Sequence, residues 1–231
     1  MGRRMTSATE HSVPTAQVQV EAAHYFRPEY DHRARLLSYW QQIHYVRTLA
    51  SQSVLEIGIG NAFVSDYLRR RGVDVLTLDI DANLYPDCAG SILRLPFQDQ
   101  AFEMVICCEV LEHLPFEWFR GAARELERVS AQHVVISVPD RTRAYRFDVQ
   151  IPLLGEIKKL VHVPTLRPRE HVFDGQHYWE LGKAGYPLRL VTGVLEDAGF
   201  DVLDSYRLFE SPKYHFFLLG KHLRGRAGAE V

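Results

Sequence analysis

The sequence predicts an α/β fold, a mostly parallel sheet with helices on both faces and an antiparallel last strand. Three observations carry that expectation. From residue 53 to 138, short runs rich in Val, Ile and Leu alternate with segments of helical spacing, the rhythm of repeated βα units. Phe102–Cys108 is apolar almost throughout, as a strand covered on both faces has to be. Two later strand-like runs, 200–208 and 214–220, are joined by Phe209-Glu-Ser-Pro-Lys213. That link is too short for a crossover helix, so the pair is antiparallel.

Taken in order, residues 1–20 are rich in Ser, Thr, Gln and Ala and read as a mobile tail. Residues 21–222 read as one domain, and 223–231 as a C-terminal tail. Within 28–49, Leu36, Trp40, Ile43 and Arg47 recur at helical spacing with Arg33, Arg35 and Gln41 between them, the pattern of an amphipathic helix. It lies either over a ligand site or against the sheet edge. Ser53–Ile57 is the first strand, followed by a helix over 62–71 capped by Asn61 and stopped by Gly72. Val73–Leu78 is the second strand, ending at Asp79, and a short third is expected around Ser91–Leu93.

After Phe102–Cys108, Pro115 suits the first turn of a helix. Phe119, Ala122, Ala123, Leu126 and Val129 form its inner face, and His133–Val138 is the fifth strand. The rhythm then breaks over 139–186, a stretch rich in Pro, Arg, His and aromatics. Its Tyr145, Phe147, Phe173, Tyr178 and Trp179 favour an ordered substrate cap inserted in the domain, since loops this long are commonly functional. Leu190, Val191, Val194, Leu195 and Ala198 give a last helix, closed by Gly199.

Composition excludes several classes. A chain of 231 residues with 46% hydrophobic content is within the range of a single domain. The net charge of −2 gives no general attraction to nucleic acid or anionic lipid. Cys88, Cys107 and Cys108 are the only cysteines, too few and too poorly spaced for a disulfide framework or a metal knuckle. No apolar run approaches the roughly 20 residues of a membrane span. Met1–Gln17 lacks the apolar core of a secretory signal, and a cytoplasmic location is expected.

The chemistry concentrates where the first strand ends. Glu56-Ile-Gly58-Ile-Gly60-Asn61-Ala62 lets the backbone turn sharply and a ligand approach the main chain. Asp79 ends the next strand, where a carboxylate accepts from ribose hydroxyls. Phe63 stands where a dinucleotide fingerprint has its third glycine, which disfavours a pyrophosphate cofactor. A cationic ligand is compatible with Glu56.

Val54-Leu-Glu-Ile-Gly-Ile-Gly60, Leu78-Asp-Ile-Asp81, Leu95–Glu103 and Cys108-Glu-Val-Leu-Glu-His-Leu114 together resemble the successive motifs of class I S-adenosylmethionine (SAM)-dependent methyltransferases. The likeness is to the broad group that includes the ubiquinone-biosynthesis enzymes. It covers residues 53 to about 138 and implies a Rossmann-like sheet of seven strands with SAM as cofactor. By resemblance, Glu56, Gly58 and Gly60 border the methionine part of SAM, Asp79 holds the ribose, and Ile80 packs beside the adenine. Ser91 and Ile92 stand at the adenine amino edge. Cys108 and Glu109 begin the motif that borders methionine and substrate. Two departures stand out: Ala62 replaces a common third glycine of the turn, and Ser91 replaces the usual aspartate.

Methyl transfer from a sulfonium is an in-line displacement that depends mainly on alignment, so a base is needed only where the acceptor must lose a proton. His113, after the fourth strand, is the first candidate base, with structural hydrogen bonding as the other reading. His171 and His177, in the cap beside Trp179 and Glu180, are alternatives. The spacing of His162, His171 and His177 matches no standard zinc pattern, and no metal is expected. Arg141, Arg143 and Arg146 either bind an anionic group of a substrate or face solvent. Cys107 and Cys108 read as small buried hydrophobes. The resulting expectation is an enzyme that methylates an oxygen or nitrogen of a small-molecule acceptor. The alternative is a non-catalytic SAM-binding adaptor or regulatory module.

Overall fold

The computed structural model describes residues 17–152, 155–163 and 167–222. Seven strands form one sheet: β1 (Ser53–Ile57), β2 (Asp74–Asp79), β3 (Cys88–Ala89), β4 (Phe102–Cys108), β5 (Ser130–Pro139), β8 (Phe200–Arg207) and β9 (Tyr214–Lys221). Their order is β3-β2-β1-β4-β5-β9-β8. All pairs up to β4–β5 are parallel, and β9 runs antiparallel to both of its neighbours. The order reverses between β1 and β4, so a crevice opens beyond their carboxyl ends, the usual ligand position in such sheets.

Side chains of the central strands alternate between two cores. Leu55, Val105, Cys107, Val134 and Ile136 pack on one face against α3 (Phe116–Val129) and α4 (Leu188–Asp197). Val54, Met104, Ile106 and Val135 pack on the other, against α1 (Arg33–Thr48) and α2 (Phe63–Arg70). The continuous apolar reading of β4 follows directly, because neighbouring residues bury themselves on opposite sides. The inner face expected for α3 is buried in full.

Four expectations need correction. Helix α1 forms, but Leu36 and Trp40 are 42% and 57% exposed. Of the expected stripe Ile43 is buried, and the rest of the buried face carries Ser38, Tyr39, Gln42 and Val46. A helix that lines a polar cavity turns polar side chains inward, which reverses the apparent amphipathicity. The third strand is Cys88–Ala89, paired with Leu78 and Asp79. Ser91–Leu93 is a turn in which Ser91 Oγ accepts the Leu93 N–H at 3.3 Å. The cap of helix α2 is Ala62, in left-handed conformation, with Asn61 Oδ1 accepting from Phe63 N at 3.3 Å.

The fourth correction concerns 139–186. It contains a two-stranded antiparallel hairpin, β6 (Ala144–Ile151) with β7 (Gly155–His162). Tyr145 and Phe147 are exposed on it, as are Ile157 and Val161. Only the later part packs closely on the domain. Trp179 is fully buried against Phe116 and Phe119 and donates its indole N–H to the Leu111 carbonyl at 3.2 Å. Tyr178 N and Leu181 N are bonded to Glu112 O and Pro139 O. Much of the N-terminal tail read from sequence, residues 1–16, lies outside the described residues, as does all of 223–231. Residues 17–20 are described and border the crevice.

Candidate active site

The crevice is a cavity of about 330 Å³, at the lower end of the range for small-molecule sites. Its floor is the bend after β1. Gly58 and Gly60 have φ of +80° and +53°, a region that favours glycine. A Cβ on Gly58 would also stand 2.3 Å from Val110 Cγ2, so two independent constraints exclude a side chain there. Gly58 N bonds to Leu78 O at 2.9 Å and Ile59 N to Asp79 Oδ2 at 2.9 Å. These bonds tie the bend to the tip of β2.

Of the residues selected from sequence, Glu56, Gly58, Gly60, Asp79, Ile80 and Cys108 line the cavity, as do His113 and His177. Ser91 and Ile92 do not. Ser91 is engaged in its own turn and Ile92 is packed in the core. Phe63 lies outside the cavity, stacked on Tyr39 with ring centroids 4.9 Å apart.

Burial sets the electrostatics. Glu56 is 4% exposed and its Oε2 has no hydrogen-bond partner among the described residues. Desolvation pushes its carboxyl up to about 7, with hydrogen bonding to Ser65 opposing the rise. Asp79 is likewise raised by burial, against the N–H groups of Asp81 and Ile59 that hold its charged form. Burial also raises the thiols of Cys107 and Cys108, so both are protonated, and Cys107 belongs to the core. Neither has the character of a nucleophile.

The two histidines that line the cavity have ring centroids 5.1 Å apart at 72°. His113 Nδ1 is 3.1 Å from both the Gln176 carbonyl and Gln19 Oε1. Two acceptors fix that nitrogen as the donor, leaving Nε2 with its lone pair. Burial, then the neighbouring His177, depresses the His113 pKa to about 4, so the ring is neutral at physiological pH. His177 Nδ1 lies 3.2 Å from Glu180 Oε1. Glu180 opposes its own burial with bonds to His177 and Arg141 and is held at about 2.

The remaining candidates disperse. Arg141 reaches the cavity rim but is paired with Glu180 at 2.8 Å. Arg146 donates to the Glu210 carbonyl, away from the cavity. His162 ends β7, while His171 Nε2 contacts the His177 carbonyl at 2.8 Å. These three histidines do not form one cluster among the described residues.

The sequence reading missed Asp81, Arg35, Glu112 and Lys213, which also line the cavity. It missed Gln19 as well, whose Nε2 donates to the His113 carbonyl at 2.9 Å. A carboxylate between Leu111 and Leu114 was the one available signal for Glu112. Arg35 and Lys213 carried none, because each sits in a stretch that looks like ordinary surface.

A doubly layered parallel sheet, a glycine bend at its switch point and a carboxylate at the tip of the adjoining strand are features with which α/β domains commonly hold nucleosides. Residues 55–138 match the family described as a methyltransferase domain. That match spans the part of the chain from β1 to β5, and over it the chain is similar to that family.

Solved structures share the fold at low identity. The 1,6-didemethyltoxoflavin-N1-methyltransferase of Burkholderia thailandensis superposes with a TM-score of 0.57 at 15% identity, covering 86% of this chain and 83% of its own. A SAM-dependent methyltransferase from Clostridium acetobutylicum gives 0.57 at 8% identity, covering 87% and 99%. The magnesium protoporphyrin IX methyltransferase of Synechocystis, with bound S-adenosylhomocysteine (SAH), gives 0.52 at 15% identity, covering 80% and 82%. No curated protein sequence matches the chain.

Proposed function

We propose that the protein transfers the methyl group of SAM to an oxygen or nitrogen of a small-molecule acceptor. The observation that carries this reading is the continuity of one cavity from the glycine bend and Asp79 to His113 and His177. The orphaned, buried Glu56 Oε2 fits a ligand that brings positive charge, since an unpaired buried carboxylate needs a partner. The small-molecule substrates named for the Burkholderia and Synechocystis enzymes support the acceptor class.

When bound, SAM supplies an electrophilic methyl group on a sulfonium whose departure leaves a neutral thioether. This chain contributes binding and alignment. Glu56 faces the cationic part, Asp79 and Asp81 offer acceptors to the ribose, and the Gly58–Gly60 main chain allows close approach. His113 and His177 border the acceptor, which Gln176 and the 17–20 segment help to enclose. Holding the reacting atoms in line is worth up to roughly 7–11 kcal/mol of barrier. Expected location is the cytoplasm, without nucleic acid or membrane; no described helix is long and apolar enough to span a bilayer.

The experiment is SAM turnover to SAH with a panel of hydroxyl- and amine-bearing small molecules, alongside calorimetry with SAH. Binding with acceptor-dependent turnover supports the proposal. Binding without turnover on any acceptor favours a non-catalytic SAM module.

A further inference from the structure

The Glu112 carboxylate is fully buried, faces the cavity, and has no hydrogen-bond partner on either oxygen among the described residues. A buried polar group left this way calls for a physical explanation. One ligand atom each from Glu112, His113 and His177 lie within 4.8 Å of one another. Side-chain adjustments of roughly 1 Å would close them onto an ion with bonds of about 2.0–2.2 Å.

The Nδ1 atoms of both rings are engaged by neighbouring acceptors. His113 Nδ1 is bonded to the Gln176 carbonyl and to Gln19 Oε1, and His177 Nδ1 to Glu180 Oε1. Metal-ligating histidines characteristically donate their other N–H to a carbonyl or carboxylate, which fixes the tautomer and ring direction. None of the cations lining the cavity is hydrogen-bonded to Glu112 among the described residues. Arg141 is paired with Glu180, and Glu109, bonded to Ser137, is a second carboxylate lining the same cavity with Arg35 and Lys213.

We propose that Glu112, His113 and His177 form a binding site for one divalent transition-metal cation at the acceptor end of the cavity. Two imidazoles and a carboxylate suit ions such as Mn²⁺, Fe²⁺, Co²⁺ or Zn²⁺ and leave coordination positions open. This rests on the methyltransferase reading for its purpose, which is to hold an acceptor oxygen and ease its deprotonation. The acceptor hydroxyl then releases its proton to water and its oxygen bonds to the methyl carbon. The carbon–sulfur bond breaks with its electron pair passing to sulfur. The two rings direct their lone pairs to the cation rather than to the acceptor proton.

The test is a titration of the chelator-treated full chain with Co²⁺ alone, followed by calorimetry and visible absorption, with SAH binding measured separately. Expected is one ion per chain, a ligand-field band, and at least about tenfold weaker binding in both His177→Ala and Glu112→Gln. Glu112→Gln preserves side-chain size, and its metal-free form should melt higher than wild type while losing the Co²⁺-induced rise in Tm. Absence of Co²⁺ binding, or equal affinity in wild type and both variants, overturns the site. Because SAH binding is read independently, failure of the cation site alone leaves the methyltransferase assignment standing. Co²⁺ binding without SAH binding supports the site and removes its assigned purpose.

Discussion

Asp79 Oδ2 accepts the backbone N–H of Ile59 at 2.9 Å, while its Oδ1 accepts that of Asp81 at 2.9 Å. The residue proposed to offer acceptors to the ribose is also the clasp that holds the glycine bend against β2. Asp79→Ala should weaken SAH binding by at least tenfold and lower stability by about 1–3 kcal/mol through the abandoned donors. Asp79→Asn, which keeps one acceptor, should fall between. Calorimetry and urea melts measure the two effects, and unchanged affinity in Asp79→Ala would remove the ribose assignment.

Glu56 sets a pH dependence. Its carboxyl is raised to about 7 in the folded chain, so protonation favours the fold. That contribution is complete below the ordinary glutamate value and disappears as pH rises through about 7. It amounts to roughly 3 kcal/mol. A cationic ligand prefers the ionised form, so SAM affinity should rise across the same interval with proton release. Glu56→Gln should flatten both curves, as read by calorimetry in buffers of differing ionisation enthalpy.

Gly58→Ala should lower stability by more than 1 kcal/mol, since it combines left-handed backbone with a Cβ 2.3 Å from Val110 Cγ2. Adding Val110→Ala should recover only the steric part. Full recovery in the double variant would show that the backbone conformation contributes nothing.

Ala62 has φ of +60°, a conformation costing a non-glycine residue about 1–2 kcal/mol. Ala62→Gly should relieve part of that and raise the urea midpoint, with SAH affinity retained. A lower midpoint would mean the turn tolerates alanine without strain.

Trp179 and Phe147 belong to the same long insertion but differ in burial, 0% against 53% exposed. Trp179→Ala should cost about 3–5 kcal/mol, and Phe147→Ser less than about 0.5. Comparable losses would place the hairpin in the cooperative core.

Much of this architecture was legible in the sequence because β1, β2 and β4 are apolar on both faces and because Gly58, Gly60 and Gly72 punctuate them. The inward face of α1 was not. Arg35, Ser38 and Gln42 point toward a cavity, and polarity of that kind is indistinguishable from solvent exposure in a one-dimensional pattern. The β6–β7 hairpin escaped because its strands bury few side chains and so lack a strong alternation. The approach of His177 to Glu112 depends on Trp179 entering the core, a long-range packing event with no local signature.

The strand order places β9 between β5 and β8. During synthesis on a ribosome, the segment through β5 emerges well before the strand that pairs with its outer edge. Until then the nascent sheet presents Ser130–Pro139 as an open hydrogen-bonding rim, the kind of surface on which neighbouring chains aggregate. The last strand made therefore closes the sheet from within, and its late arrival marks the interval in which a chaperone would matter most.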